Sequence, residues 1–529
     1  MTTAGLLFRL HRTMLTAWTL LLVVVSGATV TAYQTTYATP GQRRVATDLA
    51  QHDAATTVMY GRLHDPGTSA QMFAWEVGAI VTILAGVGAV LAGVALTRAA
   101  EDDGTMELLR ASGIDARVPF RGAVTVLVAV SAALAAGCAV VVGLAGILGD
   151  VEAVTWPGAL AFGCLVGATF LLVALGTVVL AQVAPGAGAA RLYGFAALGA
   201  SFLVRAVADT QDLHWLNRVT PLGLRALVRP FGGDRWWVLA ACVPLAALLA
   251  LAGGELSGRR EFGAGLLPRR EPRDRRLAVR STTALLARLH RESMLAWTIG
   301  VASIGTTFSA MGSGVLETSK TQDVGGFLGS QLGTGDPVAG YFSYSGTVAG
   351  LVVCAYAVLG VLRAARDEEA GLTDLVRTVG RQRWAPLAAQ VGVVAGGAAV
   401  ILLASGALAA LITPLVIDGS GVAVRAFAYD VGQWPAAVAI AGLTALLVGV
   451  WPRLRGLAWV PLLGSGVLSL LGALLGVPQS IQELSVFRHV PDVAGSGRGP
   501  WALVVLAALG AVSAAAGIVA AGRRDTIAR

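Results

Sequence analysis

Few residues of this 529-residue chain have the type and spacing that enzyme chemistry needs. His52-Asp53 and His64-Asp65, in a predicted external loop, could contribute to a metal or hydrolase site. No nucleophile accompanies them at a useful spacing, and no His-x-x-x-His pattern occurs in the chain. We therefore interpret them as solvated loop residues and predict neither a catalytic nor a metal-binding residue.

A phosphate-binding loop is the second chemical possibility. It needs the pattern Gly-x-x-x-x-Gly-Lys-Ser/Thr, so that backbone amides surround the phosphates and the lysine neutralises them. Lys320 is the only lysine of the chain and lies in a stretch that begins at Gly314, but Ser319 replaces the second glycine. The chain therefore does not supply this kind of ATP site, and an ATP-driven function would require a separate polypeptide that binds ATP.

The elements that would have to position any site are membrane spans. Hydrophobic residues make up 55% of the chain and charged residues 13%, and the mean hydropathy is +0.71. A span needs about 20 apolar residues, and such runs recur throughout. Helices are expected because backbone polar groups in hydrocarbon must pair within the segment. We predict an all-α polytopic membrane protein with about twelve transmembrane helices, at residues 14–33, 74–97, 119–148, 157–183, 191–208, 236–256, 294–316, 343–363, 385–416, 432–451, 455–476 and 500–521.

The sequence around the first span is repeated in mid-chain. Arg9-Leu10-His11-Arg12 and Ala17-Trp18-Thr19 return with identical spacing as Arg288-Leu289-His290-Arg291 and Ala296-Trp297-Thr298. We therefore predict two tandem six-helix halves, residues 1–256 and 285–529, joined by a basic linker at residues 257–284. The first apolar run could also be a signal peptide. The similar run in mid-chain cannot act as one, so we interpret both runs as membrane spans.

Basic residues predict the side of the membrane on which each loop lies. Ten arginines fall between Arg259 and Arg291, and Arg523, Arg524 and Arg529 end the chain. Cytoplasmic loops carry an excess of basic residues, so we predict that the linker and both termini are cytoplasmic. The net charge of +8 is interpreted as attraction to anionic lipid of the cell membrane, and no nucleic-acid partner is predicted.

Two acidic loops lie on the predicted cytoplasmic side. The first acidic loop, Glu101–Arg110, follows the second span, and the second acidic loop, Glu368–Arg377, follows the eighth; they align without a gap. Each pattern predicts one short helix, with carboxylates near its start and an arginine near its end, followed by Gly113 or Gly380 as a cap. One such loop would be read as a solvated turn. Two at equivalent places favour docking helices for two copies of a partner.

The predicted docking residues are Glu101, Asp102, Gly104, Thr105, Met106, Glu107, Leu108 and Leu109 in the first loop and Glu368, Glu369, Gly371, Leu372, Asp374 and Leu375 in the second. Together with Thr220-Pro221-Leu222-Gly223 before the sixth span and Arg259–Pro268 after it, these residues resemble the permeases of type-2 ABC exporters, in the fused actinobacterial form annotated for multidrug or tetronasin-like efflux. The resemblance covers the whole chain, although Leu372-Thr373-Asp374 replaces Thr-Met-Glu in the second loop. It implies that the loops are coupling helices docked on two ATPase subunits, which bind ATP and Mg²⁺, while this chain binds no cofactor.

Ionisable residues are scarce within the predicted spans, and Glu76, Arg205 and Glu255 are the ones considered for transport. Such residues mark transport pathways, but Glu76 lies at the outer edge of its span and could instead reach the water interface. The other span residues are mainly Ala, Gly, Val, Leu and Thr, and a pathway lined by such residues favours a lipophilic or amphipathic cargo. The resemblance implies a cavity lined by spans two and five of each half, with the candidate residues Phe73, Glu76, Thr82, Phe195, Phe202 and Arg205.

Three classes of function are possible for such a membrane protein. We predict an exporter permease that is active only with its ATPase. An ion-driven twelve-span secondary transporter would be expected to have intramembrane carboxylates and a basic loop after the second span, whereas the loop here is acidic. A membrane enzyme such as a lipid-linked glycosyltransferase could use Asp48 or Asp53, but the internal duplication and the lack of a paired acidic motif oppose it.

Overall fold

The computed structural model describes residues 2–37, 39–52, 54–63, 67–111, 113, 115, 117–261, 263–267, 281–321, 336–372, 382–470, 472, 477–491 and 500–524. Within these ranges the chain is helical and has no β-strand. It divides into two compact units, Met1–Asp274 and Arg275–Arg529. The division falls inside the predicted linker.

Six long helices build the first unit: α1 (Thr3–Val30), α2 (Ser69–Val94), α3 (Arg117–Leu148), α4 (Trp156–Val183), α5 (Ala187–Thr210) and α6 (Trp236–Arg259). Shorter helices connect them at Ala32–Thr36, Pro40–His52, Ala54–Tyr60, Ala100–Asp102, Thr105–Ala111 and Leu224–Val228. A π-helix lies at Ala95–Ala99, and 3-10 helices lie at His214–Val219 and Pro221–Gly223.

The second unit has helices at the corresponding places: α7 (Thr282–Thr321), α8 (Pro337–Glu369), α9 (Ala385–Ile412), α10 (Trp434–Val450), α11 (Trp459–Leu470) and α12 (Trp501–Arg523). Its shorter helices are Val422–Val431 and Gln479–Gln482, and its 3-10 helices are Thr413–Leu415 and Pro452–Ala458.

Ten helical runs in the described ranges are long and apolar enough to cross a membrane: Thr3–Gln34, Ser69–Asp102, Arg117–Leu148, Trp156–Val183, Ala187–Thr210, Trp236–Arg259, Pro337–Glu369, Ala385–Leu415, Val422–Val450 and Trp501–Arg523. They coincide with ten of the predicted spans, which confirms the all-α polytopic class. The seventh predicted span lies within α7. The eleventh starts in the 3-10 helix Pro452–Ala458 and continues through α11 towards residues outside the described ranges.

Short polar residues and proline fix where several helices begin. The Thr68 hydroxyl accepts a hydrogen bond from the Gln71 backbone N–H while the Gln71 side chain accepts one from the Thr68 N–H, a capping box that starts α2. Thr155 caps α4, and Asp336 caps α8. Both α4 and α10 begin with a Trp-Pro pair. Proline is favourable there because the N–H that it lacks would have no partner within the first turn of the helix.

Small residues allow close helix packing within each unit. In the first unit, a Cβ on Gly163 of α4 would lie 2.2 Å from the Ala135 carbonyl oxygen of α3. In the second unit, a Cβ on Gly442 of α10 would lie 2.0 Å from the Gly510 carbonyl oxygen of α12. Membrane helices use such small residues because lipid supplies no hydrophobic force between them. The fourth helix of each unit is therefore packed backbone to backbone, but against a different neighbour.

Candidate functional site

The first acidic loop does not form the single helix predicted for it. After α2 and the π-helix, the short helix Ala100–Asp102 ends the run, and Gly104 has φ +75°. This left-handed conformation interrupts the helix, and Thr105–Ala111 forms a separate one. The prediction of one helix is therefore wrong, because Glu101 and Asp102 lie in the preceding helix, while Glu107 lies in the first turn of the next. Gly113 has φ +81°, as expected for the cap.

Arg98 lies one turn before Glu101 and is a buried arginine that anchors the first acidic loop. Its side chain is 1% exposed. Its guanidinium donates hydrogen bonds to Glu101 Oε2 at 2.7 Å and to the carbonyl oxygens of Pro185, Gly263 and Ala264 at 3.0, 2.9 and 3.3 Å. A buried charge is stable only when it is paired and hydrogen-bonded. Arg98 therefore ties the loop to the α4–α5 connection and to the segment after α6.

Glu101 is shared by two arginines. Besides Arg98, it accepts a hydrogen bond from Arg260, the first residue after α6. Arg260 also donates to Gln182 Oε1, near the end of α4, at 2.8 Å. The Glu101 side chain is 11% exposed. Its carboxylate is therefore occupied within its own unit instead of facing a partner.

The remaining residues of the first loop have different surroundings. Asp102 Oδ2 accepts a hydrogen bond from the Ala187 N–H at 2.7 Å, so this carboxylate caps the positive end of α5. Met106 is buried in the core of its unit. Glu107 is exposed, whereas Gly104 and Thr105 are partly buried. The side chains of Leu108 and Leu109 lie outside the described part of the structure.

The second acidic loop repeats the turn of the first. Gly371, which aligns with Gly104, has φ +72°. α8 ends at Glu369, and Leu372, the next residue after the glycine, is 50% exposed. Asp374 and Leu375 lie outside the described residues. The left-handed glycine therefore stands at the same alignment position in both loops.

The glutamate–arginine contact is also repeated. Glu368, which aligns with Glu101, accepts a hydrogen bond from Arg524 at 2.6 Å, and Arg524 is the first residue after α12. Glu369 accepts one from Arg455 at 2.7 Å. In both units, a glutamate at the end of the second long helix binds the arginine that follows the sixth.

The six predicted cavity residues have different surroundings within the first unit. Phe73 and Thr82 are buried, and the Thr82 hydroxyl donates to the Gly78 carbonyl oxygen of its own helix at 2.7 Å. Phe195 is 38% exposed. Phe202 lies under the Arg205 guanidinium, which is 4.8 Å from the ring centroid. Phe73 and Glu76 share a neighbour, Tyr33.

Arg205 binds the C-terminal end of a short helix in the first unit. Its guanidinium donates to the carbonyl oxygens of Val58 and Met59, near the end of the helix Ala54–Tyr60. Arg225 donates to the Tyr60 carbonyl in the same way. Burial, and secondarily the charge of Arg205, lower the pKa of Arg225 to about 10. Both cations neutralise the negative end of this helix.

Several buried charged residues escaped the sequence analysis, among them Arg98, Asp430 and Arg225. Arg98 precedes Glu101 and Asp102 by three and four residues, a helical spacing that was a usable signal. Asp430 lies just before the predicted tenth span, is 4% exposed and accepts a hydrogen bond from Ser405 Oγ at 2.6 Å. For Arg225 the sequence carries no signal, because its acceptor at Tyr60 is remote in the chain.

The residues considered for enzyme chemistry are largely undescribed. Asp53, His64 and Asp65 lie outside the described residues, as do the side chains of His52 and Lys320. Among the described residues, no group of three or more His, Cys, Asp or Glu side chains could hold a metal ion.

Comparison with known proteins gives two matches. Residues 279–521 match the model of the family described as "Multidrug efflux system permease Rv1217c, C-terminal domain". The whole chain is similar to the multidrug efflux system permease protein Rv1217c of Mycobacterium tuberculosis. The identity is 31% over 539 aligned positions, which cover 99% of this chain and 95% of the relative.

Proposed function

Because the chain belongs to this family of multidrug efflux system permeases, we propose that it is the membrane subunit of an ATP-driven ABC exporter. Two copies of a separate ATPase subunit, which bind ATP and Mg²⁺, would power it. The chain itself is a multi-pass membrane permease. The cargo proposed is a lipophilic or amphipathic compound, carried out of the cell.

The repeated loop geometry is the observation that supports this proposal. A left-handed glycine follows the second long helix of each unit, and a glutamate just before it binds the arginine after the sixth. Two equivalent surface turns, each fixed to the end of its own helical unit, are what two copies of one partner would need. Movement of such a turn would be transmitted to the helices to which it is bonded.

The bonded glutamates change which side chains we assign to docking. Glu101 and Glu368 position the loops, whereas Glu107 and Leu372 are exposed and available to a partner. We place the acidic loops, the linker and both termini on the cytoplasmic side, as the arginine distribution suggests.

Replacing Glu107 and Leu108 together by alanine tests the proposal. The wild-type permease should co-purify with its ATPase, and the double variant should lose that association or hydrolyse ATP without transport. Glu292→Ala is the matched control, because this carboxylate is 87% exposed but lies outside the loops. If wild-type permease alone drives uphill flux, or the double variant transports normally with ATPase bound, the proposal is wrong.

One observation favours a second candidate, an ion-driven secondary transporter. Asp430 is buried near the end of the helix Val422–Val431, just before that helix ends and α10 begins. Among the described residues it has no ion-pair partner, and intramembrane carboxylates beside broken helices mark ion pathways in such transporters. Flux from the isolated permease under an ion gradient, lost in Asp430→Asn, would favour this candidate.

A further inference from the structure

Glu76 has an environment that interfacial exposure does not explain. It lies seven residues into α2, about 10 Å from the start of the helix. Its Oε2 accepts hydrogen bonds from the Tyr33 hydroxyl at 2.7 Å and the Tyr37 hydroxyl at 3.2 Å. Two phenols from the segment after α1 therefore hold this carboxylate in place.

No basic side chain among the described residues neutralises Glu76. The arginine close by, Arg43, donates to the Tyr37 carbonyl oxygen at 3.0 Å and forms an ion pair with Glu152 at 2.7 Å. Two neutral hydroxyls satisfy one oxygen of Glu76 but leave its charge uncompensated. A charge within a membrane helix is costly, so a cation that arrives from elsewhere would stabilise the ionised carboxylate.

The two phenols that hold the carboxylate belong to a cluster of aromatic rings. The Tyr33 ring lies 5.5 Å from that of Tyr37 and 5.8 Å from that of Phe73, measured between centroids. Tyr33 and Phe73 are buried, while Glu76 keeps part of its surface exposed. In the contacts of the described residues, Glu76 Oε1 accepts no hydrogen bond. One carboxylate oxygen beside aromatic faces is a combination that attracts organic cations.

We propose that Glu76, with Tyr33, Tyr37 and Phe73, binds a lipophilic organic cation. A divalent metal would require several carboxylate or histidine ligands, and the described residues contain no group of three or more His, Cys, Asp or Glu side chains that could hold one. The inference rests on the proposed function in one respect, since it takes this cation to be the cargo of the exporter.

Binding to the purified full-length permease in lipid nanodiscs tests the site without any ATPase. Rhodamine 6G serves as the cationic probe and Nile red as the neutral one. Glu76→Gln keeps the side-chain volume and an amide oxygen that accepts from both tyrosines, but removes the charge. We expect rhodamine 6G to bind at least about tenfold more weakly to this variant, with Nile red unchanged. Rhodamine 6G affinity within twofold of wild type would overturn the proposal.

Two further measurements control for structural damage. Glu152→Gln removes a nearby carboxylate that already has an arginine partner, and it should leave rhodamine 6G affinity unchanged. In wild-type protein, tetraphenylphosphonium should displace rhodamine 6G far better than uncharged triphenylphosphine oxide. Equal displacement would refute the site even if Glu76→Gln failed to fold. Failure of the ATPase to associate would instead refute the proposed exporter and leave these binding results standing.

Discussion

The two acidic loops share a backbone turn but are anchored differently. Gly104 and Gly371 have nearly the same φ, and Glu101 and Glu368 each bind an arginine that follows a sixth helix. The position that aligns with Arg98, however, is occupied by Ala365, which is buried. Among the described residues, such a buried guanidinium with carbonyl acceptors therefore occurs at this position in the first unit only.

The two units therefore share the bond between a glutamate and the arginine after the sixth helix. They differ in the buried contacts that Arg98 makes in the first unit. A buried, charge-assisted network holds its members in one geometry, whereas a partly exposed ion pair contributes little because water competes for it. Glu369 and Arg455 are 39% and 34% exposed. Under the proposed function, the first loop would therefore transmit movement to its unit more rigidly than the second.

Removing each arginine should reveal the asymmetry in stability. Arg98→Ala leaves carbonyl groups without donors and Glu101 with a single partner, so we expect a loss of about 3–5 kcal/mol in the free energy of unfolding. Arg455→Ala should cost less than about 1 kcal/mol, because the pair it breaks is partly exposed. Denaturant unfolding of the purified permease measures both.

Arg98→Lys provides the control for charge. Lysine keeps the positive charge but lacks the fork that reaches several acceptors, so stability should be only partly restored. Equal losses for Arg98→Ala and Arg455→Ala would show that Arg98 anchors the first loop no better than Arg455 anchors the second.

A second comparison concerns the fourth helix of the second unit. Gly442→Ala should destabilise by about 1–3 kcal/mol, because its Cβ would overlap the Gly510 carbonyl and force α10 and α12 apart. Gly464→Ala in α11 is the matched control, since its Cβ would meet no atom within 4 Å. That variant should be neutral or gain up to about 1 kcal/mol from helix propensity. Thermal unfolding of the two variants separates packing from propensity.

Much of the fold was predictable, because a membrane span leaves a long apolar run in the sequence. The repeated Arg-Leu-His-Arg pattern likewise indicated two units. The loops were less predictable. We expected Gly104 to lie inside a helix. The spacing of apolar residues does not show that the backbone of this glycine adopts a left-handed conformation. The site contacts were not predictable because Arg98 meets carbonyl groups 87 and more residues away.

The smallest expected effect tests what the two loops have in common. At φ near +70°, an added Cβ approaches the backbone of its own residue, so Gly104→Ala and Gly371→Ala should each cost about 1–2 kcal/mol. No other atom lies within 4 Å of either added Cβ, so this backbone cost should be the whole effect and should be equal in the two units. Asparagine tolerates this conformation, and Gly104→Asn and Gly371→Asn should recover part of the loss. Unequal losses for the two alanine variants, measured by thermal unfolding, would mean that the turns differ. The two acidic loops would then have only the glutamate–arginine bond in common. One kind of partner surface could not bind both loops in the same way.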